Sequence, residues 1–360
     1  MTQSLSELAL EPLSAALEGA DAEKSLAKVF RRQALADSER AKLAKWVLGA
    51  SCLRATLRFW LQDRDAGAAA LIDAYRRFVE EGSPPDLPWP EDPIERLCVE
   101  ASLPTWIARL WFDELGFESA RSLALAMNVP GPVMLRANAL HITREELAER
   151  LASEGIAVEP GLLAPHSLRV KGRANLWGSR AWREGLFEVQ DEGSQLIVEA
   201  CGALPGERWL DLCAGSGGKT LALAAAMQNR GELVAYDVDS QRLTNLRARL
   251  ARARVGCVRI GEPADEKFDG VLVDAPCSEL GTLRRHPDAR WRITPESISH
   301  LPVLQTELLE RARSHLRPGG RLVYATCTLR QAENEQIAGA GRTLRPDVEG
   351  TDGFFIATEK

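Results

Sequence analysis

Two cysteines of this 360-residue chain have the setting of chemical nucleophiles. Cys277 ends the sequence Asp-Ala-Pro-Cys that follows the apolar run 268–273, and Cys327 lies in Thr-Cys-Thr after the apolar run 321–326. A lone cysteine is usually a small buried apolar residue. Two cysteines that each follow a strand-like run, one of them near Asp274, favour thiolate attack on a substrate carbon instead.

One reaction requires this combination, the methylation of cytosine at carbon 5. That carbon becomes nucleophilic only after a thiolate adds to carbon 6, which produces an enamine-like adduct. The reaction also needs a group hydrogen-bonded to N3 and a group that assists breakdown of the adduct. Asp274 could bind N3, and the second cysteine could serve the breakdown.

A glycine-rich segment, Asp-Leu-Cys-Ala-Gly-Ser-Gly-Gly-Lys-Thr at 211–220, joins a predicted strand to a predicted helix. It could be a phosphate-binding loop, but Cys213 stands where that motif needs glycine. It could instead hold a nucleoside of the S-adenosylmethionine type, with Asp237 on the ribose hydroxyls. A tight turn without a ligand is the third interpretation.

The elements around these residues alternate between strand and helix. Strands are predicted at 208–212, 232–236, 257–260, 268–274 and 321–327, with helices ending near 229, starting at 240 and spanning 303–316. This order predicts an α/β fold with a doubly wound parallel sheet. Ligands of such sheets lie beyond the carboxyl ends of the strands, where the cysteines and the glycine-rich segment fall.

The rest of the chain predicts two further domains. Apolar residues at helical spacing indicate helices over most of 5–127, interrupted by the proline-rich stretch 81–93. A strand at 133–140, a helix capped by Thr143 and short strands near 157 and 167 then indicate a small α+β module. The predicted domains are 1–128, 129–188 and 189–360.

Net charge, cysteine spacing and the length of apolar runs limit the classes of protein to which the chain could belong. The net charge of −6 gives no global support for nucleic-acid binding. Seven scattered cysteines without CxxC spacing predict neither a disulfide framework nor a zinc site, and we expect no metal. No apolar run is long enough for a membrane span and the start of the chain does not resemble a signal peptide, so we expect a cytoplasmic protein, by default a monomer.

Taken together, the motifs resemble those of the Sun/Fmu-type RNA (cytosine-5) methyltransferases, in particular the bacterial small-subunit ribosomal RNA methyltransferase B branch. The resemblance covers about residues 133–360 and implies a class I, Rossmann-like methyltransferase fold with S-adenosyl-L-methionine as cofactor. The helical N-terminus more loosely resembles a NusB-like domain. The matching segments are VQDEGSQ (189–195), DLCAGSGGKT (211–220), VAYDVDSQRL (234–243), VLVDAPCSELGTLRRHPDARW (271–291), RPGGRLVYATCTL (317–329), ENE (333–335) and DGFF (352–355).

The resemblance implies a role for each matching residue. Cys327 matches the attacking nucleophile and Cys277 the cysteine that releases the product, although DNA cytosine-5 methyltransferases attack from a Pro-Cys motif, so that exchanged roles stay open. Lys219 and Asp274 complete the implied catalytic set. Glu262 replaces the usual aspartate near the adenine, with Asp265 as the competing choice. The implied cofactor-binding residues are Cys213, Ala214, Gly215, Ser216, Gly217, Gly218, Lys219, Asp237, Arg242, Glu262 and Asp274.

Basic residues are concentrated in two stretches, 169–183 and 241–260. The first contains Trp177 and Trp182, and arginines beside aromatic rings suit single-stranded RNA, although at least one of these rings is expected in the core. The second suits either phosphate contact or an ordinary solvated helix face. The candidate RNA-binding residues, partly implied by the resemblance, are Arg136, Asn138, Arg173, Arg284, Arg285 and His286.

The sequence therefore predicts an S-adenosylmethionine-dependent RNA cytosine-5 methyltransferase whose substrate is 16S-type ribosomal RNA. Three alternatives remain at this point. They are a tRNA-specific enzyme of the same family, a nucleotide hydrolase that uses Gly218-Lys219-Thr220, and a non-catalytic RNA-binding protein of ribosome assembly.

Overall fold

The structure is a computed structural model that describes residues 4–360. It contains two compact units. One comprises the chain up to Pro130 together with Thr282–Ser299, and the other comprises Gly131–Gly281 together with His300–Lys360. The predicted division into three domains remains a prediction, and it differs from the compact units mainly in the segment 282–299. No helix within the described range is long and apolar enough to cross a membrane.

The first unit is helical, as the apolar spacing predicts. Asp21 and Asp92 cap two of its helices by accepting backbone N–H bonds, and a core of apolar side chains such as Leu13, Leu43 and Leu71 joins the first five. The helices are Leu5–Leu17, Ala22–Arg32, Asp37–Cys52, Arg54–Leu61, Ala68–Ala74 (continued by a π-helical turn Tyr75–Glu80), Pro93–Glu100, Thr105–Leu115, Phe117–Ala126 and the short Ala289–Arg292.

The second unit begins with a small four-stranded antiparallel sheet. Its strands are β1 Met134–Ala137, β2 Val158–Pro160, β3 Ser167–Val170 and β4 Phe187–Val189, in the order β2-β3-β1-β4. The predicted capping box of Thr143 starts helix Arg144–Ser153, which packs Leu147 and Leu151 on the sheet. The predicted α+β module is confirmed, and β4 is a strand that the sequence pattern did not reveal.

A seven-stranded sheet forms the rest of this unit. Its order is β10-β11-β9-β8-β5-β6-β7, in which β9, β8, β5, β6 and β7 run parallel. The predicted parallel sheet is therefore confirmed, while β10 and β11 add an antiparallel edge that was not predicted. The strands are β5 Arg208–Asp211, β6 Glu232–Ala235, β7 Val258–Ile260, β8 Phe268–Asp274, β9 Leu316–Thr326, β10 Arg342–Leu344 and β11 Phe354–Glu359.

Helices cover both faces of the large sheet. Trp209, Leu272 and Val323 pack with helices Glu192–Cys201 and Gly218–Ala226. The alternate strand residues Leu210, Val271 and Leu322 pack in a second cluster with helix Leu301–Ser314. Burial on both faces explains the continuous apolar runs of the strands. The remaining helices of the unit are Arg180–Arg183, Thr244–Ala253 and Glu335–Ala338, of which the second starts four residues later than predicted because 240–243 form a turn.

Candidate active site

The glycine-rich loop follows the carboxyl end of β5 and enters helix Gly218–Ala226. Gly215 and Gly217 have φ values of +53° and +85°, which favour glycine. A Cβ atom on Gly217 would also lie 2.2 Å from Cδ1 of Leu246. The backbone conformation therefore favours glycine at this position, and a side chain there would also require Leu246 of helix Thr244–Ala253 to shift.

Asp237 follows the end of β6 and fixes the loop from the neighbouring strand. Its buried carboxylate accepts hydrogen bonds from the backbone N–H of Gly215 and of Asp239, both at 2.9 Å. The guanidinium of Arg242 lies 3.6 Å from the same carboxylate. The structure therefore brings together the loop, the acidic residue at the next strand end and Arg242, as the sequence predicted.

Asp211, the last residue of β5, is fully buried beneath this loop. One of its oxygens accepts a 2.7 Å hydrogen bond from the Thr220 hydroxyl. Among the described residues, the other oxygen has no hydrogen-bond partner. Burial raises the pKa of this carboxyl to about 7. A buried carboxylate oxygen without a partner, on the wall of a cavity, suits the cationic group of a ligand.

Cys277 and Cys327 meet at the carboxyl ends of β8 and β9. The strands pair in parallel with Asp274 opposite Ala325, so the two loops leave the sheet side by side. The Sγ atoms of the two cysteines lie 3.3 Å apart. A 2.8 Å hydrogen bond between the hydroxyls of Ser278 and Thr328 ties the same two loops together one residue further on. This second bond fixes the spacing of the thiols through the backbone.

A buried ion pair lies beside the thiols. Nζ of Lys219 is 2.7 Å from Oδ2 of Asp274. Burial acts to lower the pKa of Lys219, but the charge and hydrogen bond of Asp274 outweigh it, so that this pKa is raised and the ammonium stays charged. The hydrogen bond with Cys277, together with burial, raises the pKa of the Cys327 thiol well above its usual value. Attack by Cys327 therefore requires stabilisation of its thiolate, and Lys219 interacts electrostatically with it.

These groups line one cavity of about 610 Å³. Ten of the predicted catalytic and cofactor-binding residues line it with charged, thiol or glycine-loop groups. Burial also raises the pKa of Cys213, the third thiol that lines the cavity. The lining residues are Val189, Gln190, Asp191, Ser194, Asp211, Cys213, Ala214, Gly215, Ser216, Gly218, Lys219, Arg242, Arg249, Asp274, Ala275, Pro276, Cys277, Glu279 and Cys327.

Several of these lining residues were not predicted as site residues. Gln190, Asp191 and Ser194 belong to the segment VQDEGSQ, which had matched the family pattern without a role. Arg249 lies in the basic stretch 241–260, for which a solvated helix face was an equal alternative. For the first three residues, the only sequence signal was their position within a family motif. For Arg249, the basic composition of its stretch did not distinguish a residue of the cavity wall from one on a solvated helix face.

Among the predicted cofactor residues, Gly217, Asp237 and Glu262 do not line the cavity, and within the described part of the chain Glu262 has no hydrogen bond or ion pair with the glycine-rich loop. It follows β7 on a largely exposed turn, and its carboxylate is bonded to Arg311 of helix Leu301–Ser314. The competing residue Asp265 is also exposed and is absent from the cavity lining. Strand β7 is at the edge of the sheet, and Glu262 after it pairs with Arg311 rather than with a residue of the cavity.

Two of the candidate RNA-binding residues lie beneath the surface. The buried guanidinium of Arg136 donates to Gln190 Oε1 at 2.6 Å, and burial lowers the pKa of this arginine to about 10. The buried amide of Asn138 donates to the carbonyl oxygens of Gly185 and Ala253. Both residues therefore have structural contacts within the protein. Arg136 orients Gln190, which lines the cavity.

The other candidates divide between the two units. Arg173 is exposed on the second unit. Arg284, Arg285 and His286 belong to the helical unit, where Arg284 is largely buried and Nδ1 of His286 lies 3.6 Å from Glu23. An RNA contact by these residues remains a prediction. No cluster of three or more His, Cys, Asp or Glu residues suited to a metal ion occurs in 4–360.

Comparison with known proteins agrees with the geometry. The family described as 16S rRNA methyltransferase RsmB/F matches residues 202–340, and the ferredoxin-like domain of RsmF/B-like methyltransferases matches residues 103–176. The "Probable ribosomal RNA small subunit methyltransferase B" of Bacillus subtilis (strain 168) is 32% identical over 330 residues, covering 81% of this chain and 74% of that protein. The chain belongs to this methyltransferase family.

Further relatives support this membership. The ribosomal RNA small subunit methyltransferase B of Serratia proteamaculans is 35% identical, covering 64% of this chain and 60% of that protein. The solved structure of a methyltransferase homologue from Pyrococcus horikoshii has a TM-score of 0.67 and 29% identity, covering 75% of this chain and 99% of its own. NSun6 from Pyrococcus horikoshii, solved with SFG, shares the fold at a TM-score of 0.66 and 20% identity, over 71% of this chain and 97% of its own.

The methyltransferases of this family depend on S-adenosylmethionine, and the cavity fits that cofactor. The unpartnered oxygen of Asp211 suits its ammonium group. Asp237 has the position of a ribose-binding carboxylate, at the end of the strand next to the glycine-rich loop. The positive φ values of Gly215 and Gly217 allow the backbone to approach a ligand closely.

Proposed function

We propose that this methyltransferase modifies carbon 5 of a cytosine in the RNA of the small ribosomal subunit, through a covalent adduct at Cys327. The observation that carries the proposal is the pair of thiols 3.3 Å apart beside the Lys219–Asp274 ion pair. A methyltransferase that acts on an exocyclic nitrogen or on ribose has no use for two thiols at the reacting end of its cavity. Addition to a pyrimidine ring uses both.

In the first step, the Cys327 thiolate adds to carbon 6 of the cytosine. Its negative charge forms in a buried place, and the ammonium of Lys219 is the nearby cation that compensates it. The electron pair of the 5,6 double bond forms a 4,5 double bond, the pair of the 3,4 double bond moves onto N3, and N3 takes up the proton that the Cys327 thiol released. The Asp274 carboxylate accepts a hydrogen bond from that N3–H group and so keeps the ring activated.

Bound S-adenosylmethionine would supply the methyl group of its sulfonium to the activated carbon 5 and would leave as the neutral thioether S-adenosylhomocysteine. Cys277 then takes part in product release, as the second thiol at the site. A base removes the proton from carbon 5, its electron pair re-forms the 5,6 double bond, and the bond between carbon 6 and Cys327 breaks with return of the thiolate. The position of Cys277 beside the leaving sulfur suits this assistance.

Cys327 is the better candidate for the nucleophile than Cys277 on two grounds. The charge of Lys219 interacts with Cys327, which favours its thiolate. The sulfur of Cys327 also belongs to the strand-end loop that matches the nucleophile motif, Thr-Cys-Thr. The exchanged assignment would place the attack on Cys277, and the experiment below separates the two.

Ribosomal RNA is the substrate that the named relatives support, since those from Bacillus subtilis and Serratia proteamaculans are named as acting on the small ribosomal subunit RNA. A tRNA-specific activity is the alternative within the same chemistry. A reaction on ribosomal RNA would take place in the cytoplasm. The hydrolase interpretation is not supported, because Cys213 interrupts the phosphate-binding motif and Lys219 is held by Asp274.

The test is transfer of labelled methyl from S-adenosylmethionine to unmodified 16S ribosomal RNA and to tRNA in parallel. We expect label in ribosomal RNA with the wild-type protein and none with Cys327→Ala, while cofactor binding, measured by calorimetry, is retained. Cys257→Ala is the matched control, because Cys257 is a partly buried cysteine of the same unit outside the cavity.

Three results would each contradict a different part of the proposal. Near-normal methylation by Cys327→Ala would remove its role as the nucleophile. Label confined to tRNA would keep the chemistry and overturn the ribosomal substrate. Label in neither RNA, with the cofactor still bound, would overturn the proposal and favour a non-catalytic role in ribosome assembly.

A further inference from the structure

Trp177 is an exposed aromatic side chain that the cavity does not use. It is 58% exposed, and among the described residues it is the aromatic one in the group of large exposed apolar residues. It packs edge-on against Trp182, with ring centroids 4.5 Å apart and an interplanar angle of 79°. One ring of the pair is therefore held by the protein while the other presents its surface to solvent.

Trp182 is the structural member of this pair. Its ring lies 5.5 Å from that of Phe187, and the guanidinium of Arg252 lies 3.4 Å from its centroid. These contacts hold Trp182 in place and give the pair a fixed base. An exposed ring on a fixed support loses little conformational freedom when a ligand stacks on it.

The two tryptophans line a concavity of about 420 Å³ that adjoins the active-site cavity. Val189 and Arg249 line both. Arg249 also donates from Nη1 to the carbonyl oxygen of Ser216, at 2.7 Å, in the glycine-rich loop. A chain that leaves the active-site cavity past Val189 and Arg249 therefore enters the concavity that the tryptophan pair lines.

The charge of the concavity suits a nucleic-acid strand. Glu188 is bonded to both Arg249 and Arg252, which fixes the two guanidinium groups and leaves an excess of one positive charge. Arg173, Arg180 and Arg183, all exposed, lie close to the two tryptophans in the sequence. Aromatic surface beside fixed arginines is the combination that holds single-stranded RNA by base stacking and phosphate contact.

We propose that Trp177 is the stacking platform for one unpaired base next to the target cytosine, in a subsite formed with Trp182, Arg249 and Arg252. The inference rests on the proposed function, since it concerns the RNA strand that enters the same cavity. The target base must leave its stack to reach Cys327, and the neighbouring base thereby loses a stacking partner. Trp177 replaces that partner.

The experiment measures KM for RNA and kcat with the RNA that the wild-type protein methylates. For Trp177→Ala we expect KM for RNA to rise about ten-fold, as the loss of one stacked base predicts, with kcat and the Kd of the cofactor unchanged. Trp177→Phe should restore most of the affinity. Leu162→Ala is the matched control, because Leu162 is a 90% exposed apolar residue of the same unit away from both cavities.

An abasic nucleotide, ligated in turn at each position beside the mapped methylated cytosine, makes the test specific. At one position, the abasic nucleotide should raise KM for the wild-type protein and leave KM for Trp177→Ala unchanged. This result would show that the missing base and the Trp177 ring interact directly. An unchanged KM in Trp177→Ala, or equal abasic effects in both proteins at every position, would overturn the subsite. A defect of Trp177→Ala only on ribosomal particles, and not on RNA, would assign the ring to a protein partner and overturn it too.

These outcomes are separable from failure of the proposed function. A wild-type protein that methylates no RNA contradicts the proposed function itself. A wild-type protein that methylates RNA with the same KM as Trp177→Ala contradicts only the subsite.

Discussion

The Sγ atom of Cys277 lies 3.3 Å from that of Cys327, although 50 residues separate them in the chain. The parallel pairing of β8 with β9 produces this approach, since it places Asp274 opposite Ala325 and starts both loops at the same level. The short distance between the two thiols is therefore a consequence of the register between β8 and β9. Their closeness allows one sulfur to act on the bond that the other forms.

The first prediction follows from this approach. In Cys277→Ala, we expect Cys327 to attack the base and transfer to proceed, while release of the product slows because the second thiol is absent. A covalent protein–RNA adduct should accumulate and migrate slowly on a denaturing gel run after incubation with S-adenosylmethionine. Cys327→Ala and the double variant serve as controls, and an adduct formed by Cys327→Ala instead would assign the attack to Cys277.

The second prediction concerns the buried carboxyl of Asp211, whose pKa of about 7 lies above its ordinary value of 3.8. Between these two pH values the folded protein holds a proton that the unfolded chain has released, so stability is lost as pH rises toward 7. Asp211→Asn removes this titration. Relative to Asp211→Asn, the wild-type free energy of unfolding should fall by a few kcal/mol from pH 4 to pH 8, as measured by denaturant unfolding.

The same titration should govern cofactor binding. Calorimetry should give a Kd for S-adenosylmethionine that decreases as pH rises through 7 in the wild-type protein, because the ionised Asp211 oxygen then faces the ammonium group. The dependence should vanish in Asp211→Asn and persist in Asp265→Asn, an exposed control outside the cavity. A Kd that is flat across pH 6–8 in the wild-type protein would show that Asp211 does not meet that group.

The third prediction concerns Arg290 in the helical unit. Its fully buried guanidinium donates to Asn128 Oδ1 at 2.6 Å and to the carbonyl oxygen of Met127 at 3.0 Å. Arg290→Met leaves the Met127 carbonyl without this donor and leaves Asn128 Oδ1 with only the weak thiol donor of Cys52, and we expect the unfolding free energy of this unit to fall by about 3 kcal/mol.

Hydrogen exchange measured by mass spectrometry can locate that loss. Protection should fall in helices Pro93–Glu100 and Phe117–Ala126, while the Kd of S-adenosylmethionine stays unchanged. Arg31→Met is the matched control, since Arg31 is exposed on helix Ala22–Arg32 of the same unit. Equal stability of the Arg290→Met and Arg31→Met variants would contradict the structural role of Arg290.

The sequence was sufficient for the central part of the site. Strands β5, β6, β8 and β9 each contain a short apolar run, and an aspartate or a cysteine lies at the end of each strand or within two residues of it, so the strand ends could be predicted. Asp237, Lys219, Asp274 and the two cysteines were predicted for this reason and do line or border one cavity.

Long-range partners limited the rest. Glu262 follows a strand as predicted, but its ion pair with Arg311 joins residues 49 positions apart, which no local pattern reveals. The burial of Arg136 and Asn138 depends on Gln190, Gly185 and Ala253 in the same way. The edge strands β10 and β11 take their identity from pairing with β9, and short antiparallel edges have a weak periodic signal.

The membership of Thr282–Ser299 in the helical unit has a consequence for biosynthesis. Asp288 accepts the backbone N–H of Ala22 at 3.0 Å, and the indole of Trp291 donates to the carbonyl of Ser51 at 3.0 Å. Domains emerge from the ribosome in chain order and generally fold as units. The packing of the first helices made is therefore completed only after residue 299 has been translated, by which time four of the seven strands of the large sheet have also been translated. Translation order and folding order are thus interleaved in this chain.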